Sequence, residues 1–255
     1  MVICSGSRYQ SPIKEHNVIL ATRTSHLQKY YEQLSQAKRV LVVGGGLVGV
    51  ELSAELCTLC LDKKVILVHD RNVLMERNQP QSQLYATCFL KEKGVKIIYG
   101  ERVIGKKGRY FFTNKNSKLT ADLAIMCTGI KPNNAFLKEC FMSSLNERGQ
   151  LIVNEHLQVN RYTHIFAAGD INDRSVEKTA QNALLQAKIV AYNIRALEHY
   201  HPLKIYHSQK TPLVISLGKY DGIFEWHRFV FTGLLPGILK TMIEKREMWK
   251  YRLGI

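Results

Sequence analysis

Arg39-Val40-Leu41-Val42-Val43-Gly44-Gly45-Gly46-Leu47-Val48-Gly49-Val50-Glu51 joins an apolar run, a glycine-rich turn and the opening of a helix. Four consecutive apolar residues, Val40 to Val43, suit a strand buried on both faces of a parallel sheet. The glycines fall at Gly44-x-Gly46-x-x-Gly49, the spacing of a dinucleotide-binding turn. The first permits the tight turn, the second lets backbone approach a pyrophosphate, and the third allows close helix–strand packing. Free N–H groups at the helix start would face the phosphates. A lone motif of this kind is weak, but here an amphipathic stretch follows, with Val48, Leu52, Leu56 and Leu59 as its expected core stripe.

Downstream, Val65–Val68 reads as a second strand, residues 83–93 as a helix and Val95–Ile98 as a third strand, completing a β-α-β-α-β unit. The second strand ends His69-Asp70-Arg71. An acid at that point favours NAD, and a nearby arginine accommodates the 2′-phosphate of NADP. With His69 in the acidic position, both nucleotides stay open. A meander (102–104 and 109–113) and an apolar strand within 122–127 follow, ending at Thr128-Gly129. Residues 151–168 read as short strands, 177–198 as a long helix, and the segment from 201 as strands closed by a basic helix from Gly237. Upstream, Met1–Cys4 resembles a buried strand ending at Ser5-Gly6-Ser7, and a polar connector runs to Ala37.

Composition narrows the class. The 255 residues are 45% hydrophobic and 22% charged, enough for a packed core and against disorder. No apolar run reaches the roughly 18–20 residues of a membrane span, and no signal peptide is readable. Net charge is +15, but the basic residues are spread along the chain, so no nucleic-acid partner is expected. Of six cysteines, Cys57 and Cys60 form a C-x-x-C expected deep in a helix, where they read as packing residues. There is no metal-ligand pattern and no redox-active C-x-x-x-x-C, so a disulfide reductase mechanism is not expected. The expected compartment is reducing and cytoplasmic.

Three segments together, Gly44–Glu51, Thr128-Gly129-Ile130-Lys131-Pro132-Asn133 and Ala168-Gly169-Asp170, resemble the pyridine nucleotide-disulfide oxidoreductase superfamily. Within it the resemblance is to the apoptosis-inducing-factor-like NAD(P)H:quinone oxidoreductases, with type II NADH dehydrogenases nearby. The resemblance implies an α/β fold: a Rossmann-like NAD(P)-binding domain (37–120) inserted in an FAD-binding Rossmann-like domain (1–36 and 121–200), plus a small α+β C-terminal module (201–255). The FAD domain's own first strand and glycine turn would precede Met1, so the chain reads as lacking that segment.

The resemblance also implies roles. Ser5 and Gly6 match the first crossing between domains and Gly129 the return crossing. Gly169 and Asp170 match the flavin-binding turn, with Lys178, Thr179 and Ala180 presenting N–H groups towards the flavin. Glu51 matches a glutamate beside the nicotinamide; otherwise it is a first-turn helix acid. The C-terminal segment carries nine Lys and Arg against four Asp and Glu. Lys245 and Trp249 fall near positions lining a quinone approach, or they belong to a solvated face. The implied cofactors are FAD and NAD(P)H, and the implied partner is a quinone or other small electron acceptor. Peripheral contact with an anionic membrane, a mitochondrion or lipid droplet among the options, fits this mixture. The competing reading is a non-catalytic fragment that keeps NAD(P) binding or an interaction surface only.

Overall fold

A computed structural model describes residues 1–9, 13, 20–208 and 211–253. Its elements run β1 (Val2–Ile3), β2 (Ser7–Arg8), α1 (Leu20–Gln36), β3 (Arg39–Val43), α2 (Leu47–Leu59), β4 (Lys64–His69), α3 (Pro80–Glu92) and β5 (Lys96–Tyr99). They continue as β6 (Val103–Lys107), β7 (Tyr110–Thr113), β8 (Lys118–Thr120), β9 (Leu123–Met126), β10 (Lys131–Pro132) and β11 (Phe166–Ala167). The last are α4 (Ala180–Glu198), β12 (Leu213–Ser216), β13 (Gly222–Trp226), β14 (Phe229–Gly233) and α5 (Leu234–Leu253). The chain forms two compact units, one of residues 1–9 and 130–211, the other of residues 10–129 and 212–255. The expected module from residue 201 is thus divided, with 201–211 in the first and 212–255 in the second.

The second unit is built on a four-stranded parallel sheet in the order β5-β4-β3-β9. Alternation along β3 sorts its side chains. Val40 and Val42 join the cluster formed with α2 and α3, while Leu41 and Val43 join Phe111 and Leu119 of the β6-β7-β8 meander. Both faces are therefore covered, which is why β3 is apolar at four successive positions. The three-stranded sheet β12-β13-β14 adds Ile215 and Ile223 to the α2 cluster, and Leu217, just after β12, joins them.

Three expectations are corrected here. Residues 20–36 form a helix where a polar connector was expected. Its apolar signal is thin, since Leu27 is 46% exposed and only Leu34 of its described residues packs on the core. The rest of that connector, residues 10–12 and 14–19, lies outside the described residues. On α2 the buried face is Gly49, Val50, Ser53, Ala54, Leu56 and Cys57, and Leu59 is exposed. Small residues let the helix lie close to the sheet; of the expected stripe, Val48, Leu52 and Leu56 pack on the core, and only its last member, Leu59, falls outside it. Cys57 is buried within α2, whereas Cys60 is the residue that caps its C-terminus.

The first unit pairs β1 parallel to β11 and β2 antiparallel to β10. Of the first four residues only Ile3 is buried; it packs with Leu137, Leu151, Leu157, Phe166, Ile171 and Val190. Between 151 and 165 the expected strands reduce to single-residue bridges. Asn154 accounts for this: its Oδ1 accepts the N–H groups of His156 and Gln158, satisfying the backbone through a side chain instead of a ladder. The long helix begins at Ala180 with Thr179 as its N-cap, three residues later than expected.

Candidate functional site

In the second unit the glycine turn leaves β3 at the carboxyl edge of the parallel sheet, where open α/β sheets bind ligands. Gly44 donates to Val68 O at 2.8 Å and has φ +110°. A Cβ there would stand 2.4 Å from Cys127 O, so only glycine fits. A Cβ on Gly49 would lie 1.8 Å from Gly44 O, which brings α2 against the turn. Gly46 is different, because a Cβ there would meet nothing within 4 Å. It caps α2 without a side-chain bond, and the first turn carries no acid. The N–H groups of that turn have no intrahelical acceptor, so an open face backed by free donors fits a pyrophosphate.

Burial pushes the Cys127 thiol beneath the turn up to about 12. It is a protonated packing residue, not a nucleophile. No group of three or more metal-ligating side chains occurs among the described residues.

Glu51 sits one turn into α2. Its Oε1 accepts the Ser216 N–H at 3.0 Å and the Lys240 ammonium at 3.2 Å. Both side chains are about three-quarters buried or slightly less, at 27% and 30% exposed. Ser216 also donates its hydroxyl to Glu55 at 3.1 Å, so one serine ties two acids of the same helix face. The sequence reading missed Lys240 and Ser216. Lys245 and Trp249 stand elsewhere on α5 and are exposed, Trp249 at 66%. Five residues on from Lys240, Lys245 lies roughly 140° further round the helix, which is why it does not face Glu51.

The end of β4 departs from expectation. Asp70 and Arg71 are exposed, but His69 is buried at 6% and lies under the turn, its Nδ1 accepting the Gly45 N–H at 3.1 Å. The expectation that His69 meets the ribose is corrected: its ring is buried and commits Nδ1 to the Gly45 N–H, while Asp70 and Arg71 are the exposed residues of this strand end.

In the first unit the segments assigned to flavin are joined by short polar contacts. The Ser7 hydroxyl donates to Asp170 Oδ2 at 2.5 Å. Asn133 holds the Ser5–Ser7 turn, donating its amide to Ser5 O and its backbone N–H to Gly6 O, both at 2.9 Å. Gly169 donates its N–H to Gln186 Oε1. Lys178 turns its ammonium onto the carbonyls of Asn172 and Arg174. Desolvation pushes its pKa down, against the pull of Asp170, Asp173 and Glu177. Thr179 spends its hydroxyl on the Asn182 N–H, leaving Ala180 and Gln181 N–H at the opening of α4.

Several buried polar atoms of these same segments lack partners: Ser5 Oγ, Arg174 Nε and Nη2, and Asn182 Oδ1. A buried polar atom without a partner costs free energy unless something else bonds to it, so the donor set fits a polar ligand such as the flavin end of FAD. The first unit holds no glycine-rich turn of its own among the described residues.

A twisted parallel sheet with a glycine turn opening a helix at its carboxyl edge defines a nucleotide-binding α/β protein of the Rossmann type. The chain belongs to the pyridine nucleotide-disulphide oxidoreductase family, whose model matches residues 1–187, and within it to the apoptosis-inducing-factor-like branch. It is 31% identical over 254 residues to ferroptosis suppressor protein 1 of Taeniopygia guttata, covering 94% of this chain and 68% of the relative. Against apoptosis-inducing factor homolog B of Dictyostelium discoideum it is 30% identical over 253 residues, covering 88% and 65%. Among solved structures, a water-forming NADH oxidase from Lactobacillus brevis superposes with a TM-score of 0.67 at 24% identity, covering 88% of this chain and 51% of that one. The chain thus spans about half the length of that structure, and at this identity the likeness concerns the fold.

Proposed function

We propose that this chain is an NAD(P)H-dependent flavin oxidoreductase that passes electrons to a quinone or another small electron carrier. The observation that carries the reading is the turn at Gly44–Gly49, shaped by two glycines that admit no side chain and opened by a third that faces nothing. The family to which the chain belongs adds the flavin. Flavin, when bound, supplies a two-electron acceptor able to hand electrons on singly or in pairs.

The chain's own residues would work by positioning and electrostatics. The turn and the first N–H groups of α2 hold the pyrophosphate. Glu51, fixed by Ser216 and Lys240, presents its second oxygen to the nicotinamide end. Asp70 and Arg71 receive the adenosine ribose, the arginine making NADPH usable beside NADH. Asp170, fixed by Ser7, with Ser5, Gly6, Gly169 and the opening of α4, would hold the flavin.

For the acceptor, α5 carries exposed Leu234, Leu235, Met242 and Trp249 beside Lys245. This mixture supports a peripheral approach to an anionic membrane surface, where a quinone is met. No helix of the described residues is long and apolar enough to cross a membrane. The test is to supply FAD and NADH to the purified chain and follow NADH oxidation with and without a soluble quinone. Quinone-dependent turnover supports the reading. NADH binding with no flavin retained gives instead a nucleotide-binding chain without this activity.

A further inference from the structure

The structure assigns His69 a positioning role: its Nδ1 anchors the Gly45 N–H, holding the glycine turn in shape and tying nucleotide affinity to the protonation of the imidazole. This inference rests on the reading of that turn as the NAD(P) site. Gly45 is clamped from both sides. Its N–H donates to His69 Nδ1 at 3.1 Å, and its carbonyl accepts the Met75 N–H at 2.9 Å. Where a side chain would stand, Gly45 lies against the imidazole and Leu74; a Cβ would come within 2.8 Å of His69 Cγ and 2.6 Å of Leu74 Cδ2. The imidazole therefore forms the floor of the turn whose neighbour, Gly46, has the open face.

The bond dictates the tautomer. Nδ1 accepts only when it carries no proton, so the neutral ring bears its hydrogen on Nε2. Nε2 is buried without a hydrogen-bond partner. Its charged neighbour is Glu76 Oε2 at 3.5 Å, and Asp70 Oδ1 lies 3.4 Å from Nδ1. Across the sheet, Tyr99 of β5 stands in register with His69. Adding a proton to Nδ1 sets two donors against each other. The Gly45 N–H then loses its acceptor, and the cation is drawn to Asp70 and Glu76 instead. The turn loses its anchor, and nucleotide binding weakens as pH falls. By reciprocity, binding nucleotide to the low-pH protein releases a proton. Because the ring is spent on Gly45, contact with the ribose passes to Asp70 and Arg71.

The test uses the full chain and oxidised NAD, which has no 2′-phosphate to titrate in this range. Its affinity is measured by calorimetry between about pH 5 and 8, in buffers of different ionisation enthalpy. The wild type is expected to bind about ten-fold more weakly at the acid end and to release a proton on binding there. In His69→Asn the side-chain oxygen takes the place of Nδ1 as a non-titrating acceptor, so binding stays tight with a flat pH profile. His69→Leu, lacking any acceptor, binds weakly at every pH. The inference is overturned if His69→Asn keeps the wild-type pH slope, or if the wild type binds with no slope and no proton release. The wild-type profile is a readout even if the leucine variant does not fold. A wild type that binds neither NAD nor NADPH at any pH overturns the nucleotide site itself, and this inference with it.

Discussion

Replacing Gly46 and Gly49 by alanine, one at a time, separates nucleotide binding from folding. At Gly46 the added methyl enters open space and the φ of −72° suits alanine. The exchange at an N-cap position changes stability by no more than about 1 kcal/mol, a shift of roughly 2–4 °C in Tm at this chain length. The same methyl occupies the face where the pyrophosphate must approach. Affinity for NADH is expected to fall at least about ten-fold, or about 1.4 kcal/mol. At Gly49 the methyl stands 1.8 Å from Gly44 O, where real contacts stay beyond 3.0 Å. Helix α2 must move off the turn by more than 1 Å, at a cost near the top of the ~1–3 kcal/mol range for overpacking. That variant is expected to lose both Tm and affinity. Thermal melts followed by NADH fluorescence titration read the two quantities. A Gly46→Ala chain that binds NADH as tightly as wild type would refute the assignment of the open face, and a Gly49→Ala chain that melts like wild type would refute the packing argument.

Lys240→Met removes the cation on Glu51 but leaves the Ser216 N–H in place. Stability should change by less than about 1 kcal/mol, as for partly exposed ion pairs, while the rate of NADH oxidation falls; Lys240→Arg should recover most of that rate, and equal loss in both variants would contradict a role for the charge. Ser7→Ala deletes the 2.5 Å bond to Asp170, so urea unfolding is expected to show a loss of about 1–3 kcal/mol, and an unchanged midpoint would count against the contact. Asp122 titrates low chiefly because it accepts the Arg39 N–H, with further bonds from Lys38 and Arg109. A depressed carboxylate stabilises the fold above its unfolded pKa and loses that contribution as pH falls through its folded pKa. Asp122→Asn should therefore flatten the acid limb of a stability-versus-pH curve, and an identical limb would be inconsistent with this.

Much of the nucleotide half was legible because its signals are local. Val40 to Val43 must be buried on both faces, and packing enforces glycine at 44 and 49, with Gly46 completing the recognisable spacing between them. What the sequence did not show depends on contacts between distant segments. Lys240 meets Glu51 across 189 positions, and nothing in either neighbourhood announces the pair. Lys245 shares its residue type but not its helix face. His69 occupies the position where an acid meets the ribose, and the sequence shows only its place along β4. That the side chain lies under the turn shows only in its bond to the Gly45 N–H, across 24 positions. Helix α1 was hidden for a different reason: with Leu34 as its one described core contact, it lacks the apolar stripe that periodicity detects. The segments proposed to hold flavin were picked out only through resemblance, because Ser5, Gly6, Gly169 and Asp170 lie in turns whose partners are more than a hundred residues apart, as Ser7 and Asp170 are.

The most direct measurement is to incubate the purified chain with FAD, desalt it, add NADH without oxygen and record the visible spectrum. An NAD(P)H-dependent flavin oxidoreductase keeps its yellow colour through desalting and loses the flavin band when NADH is added. A chain that emerges colourless, or that binds NADH while its flavin stays oxidised, contradicts the proposed function.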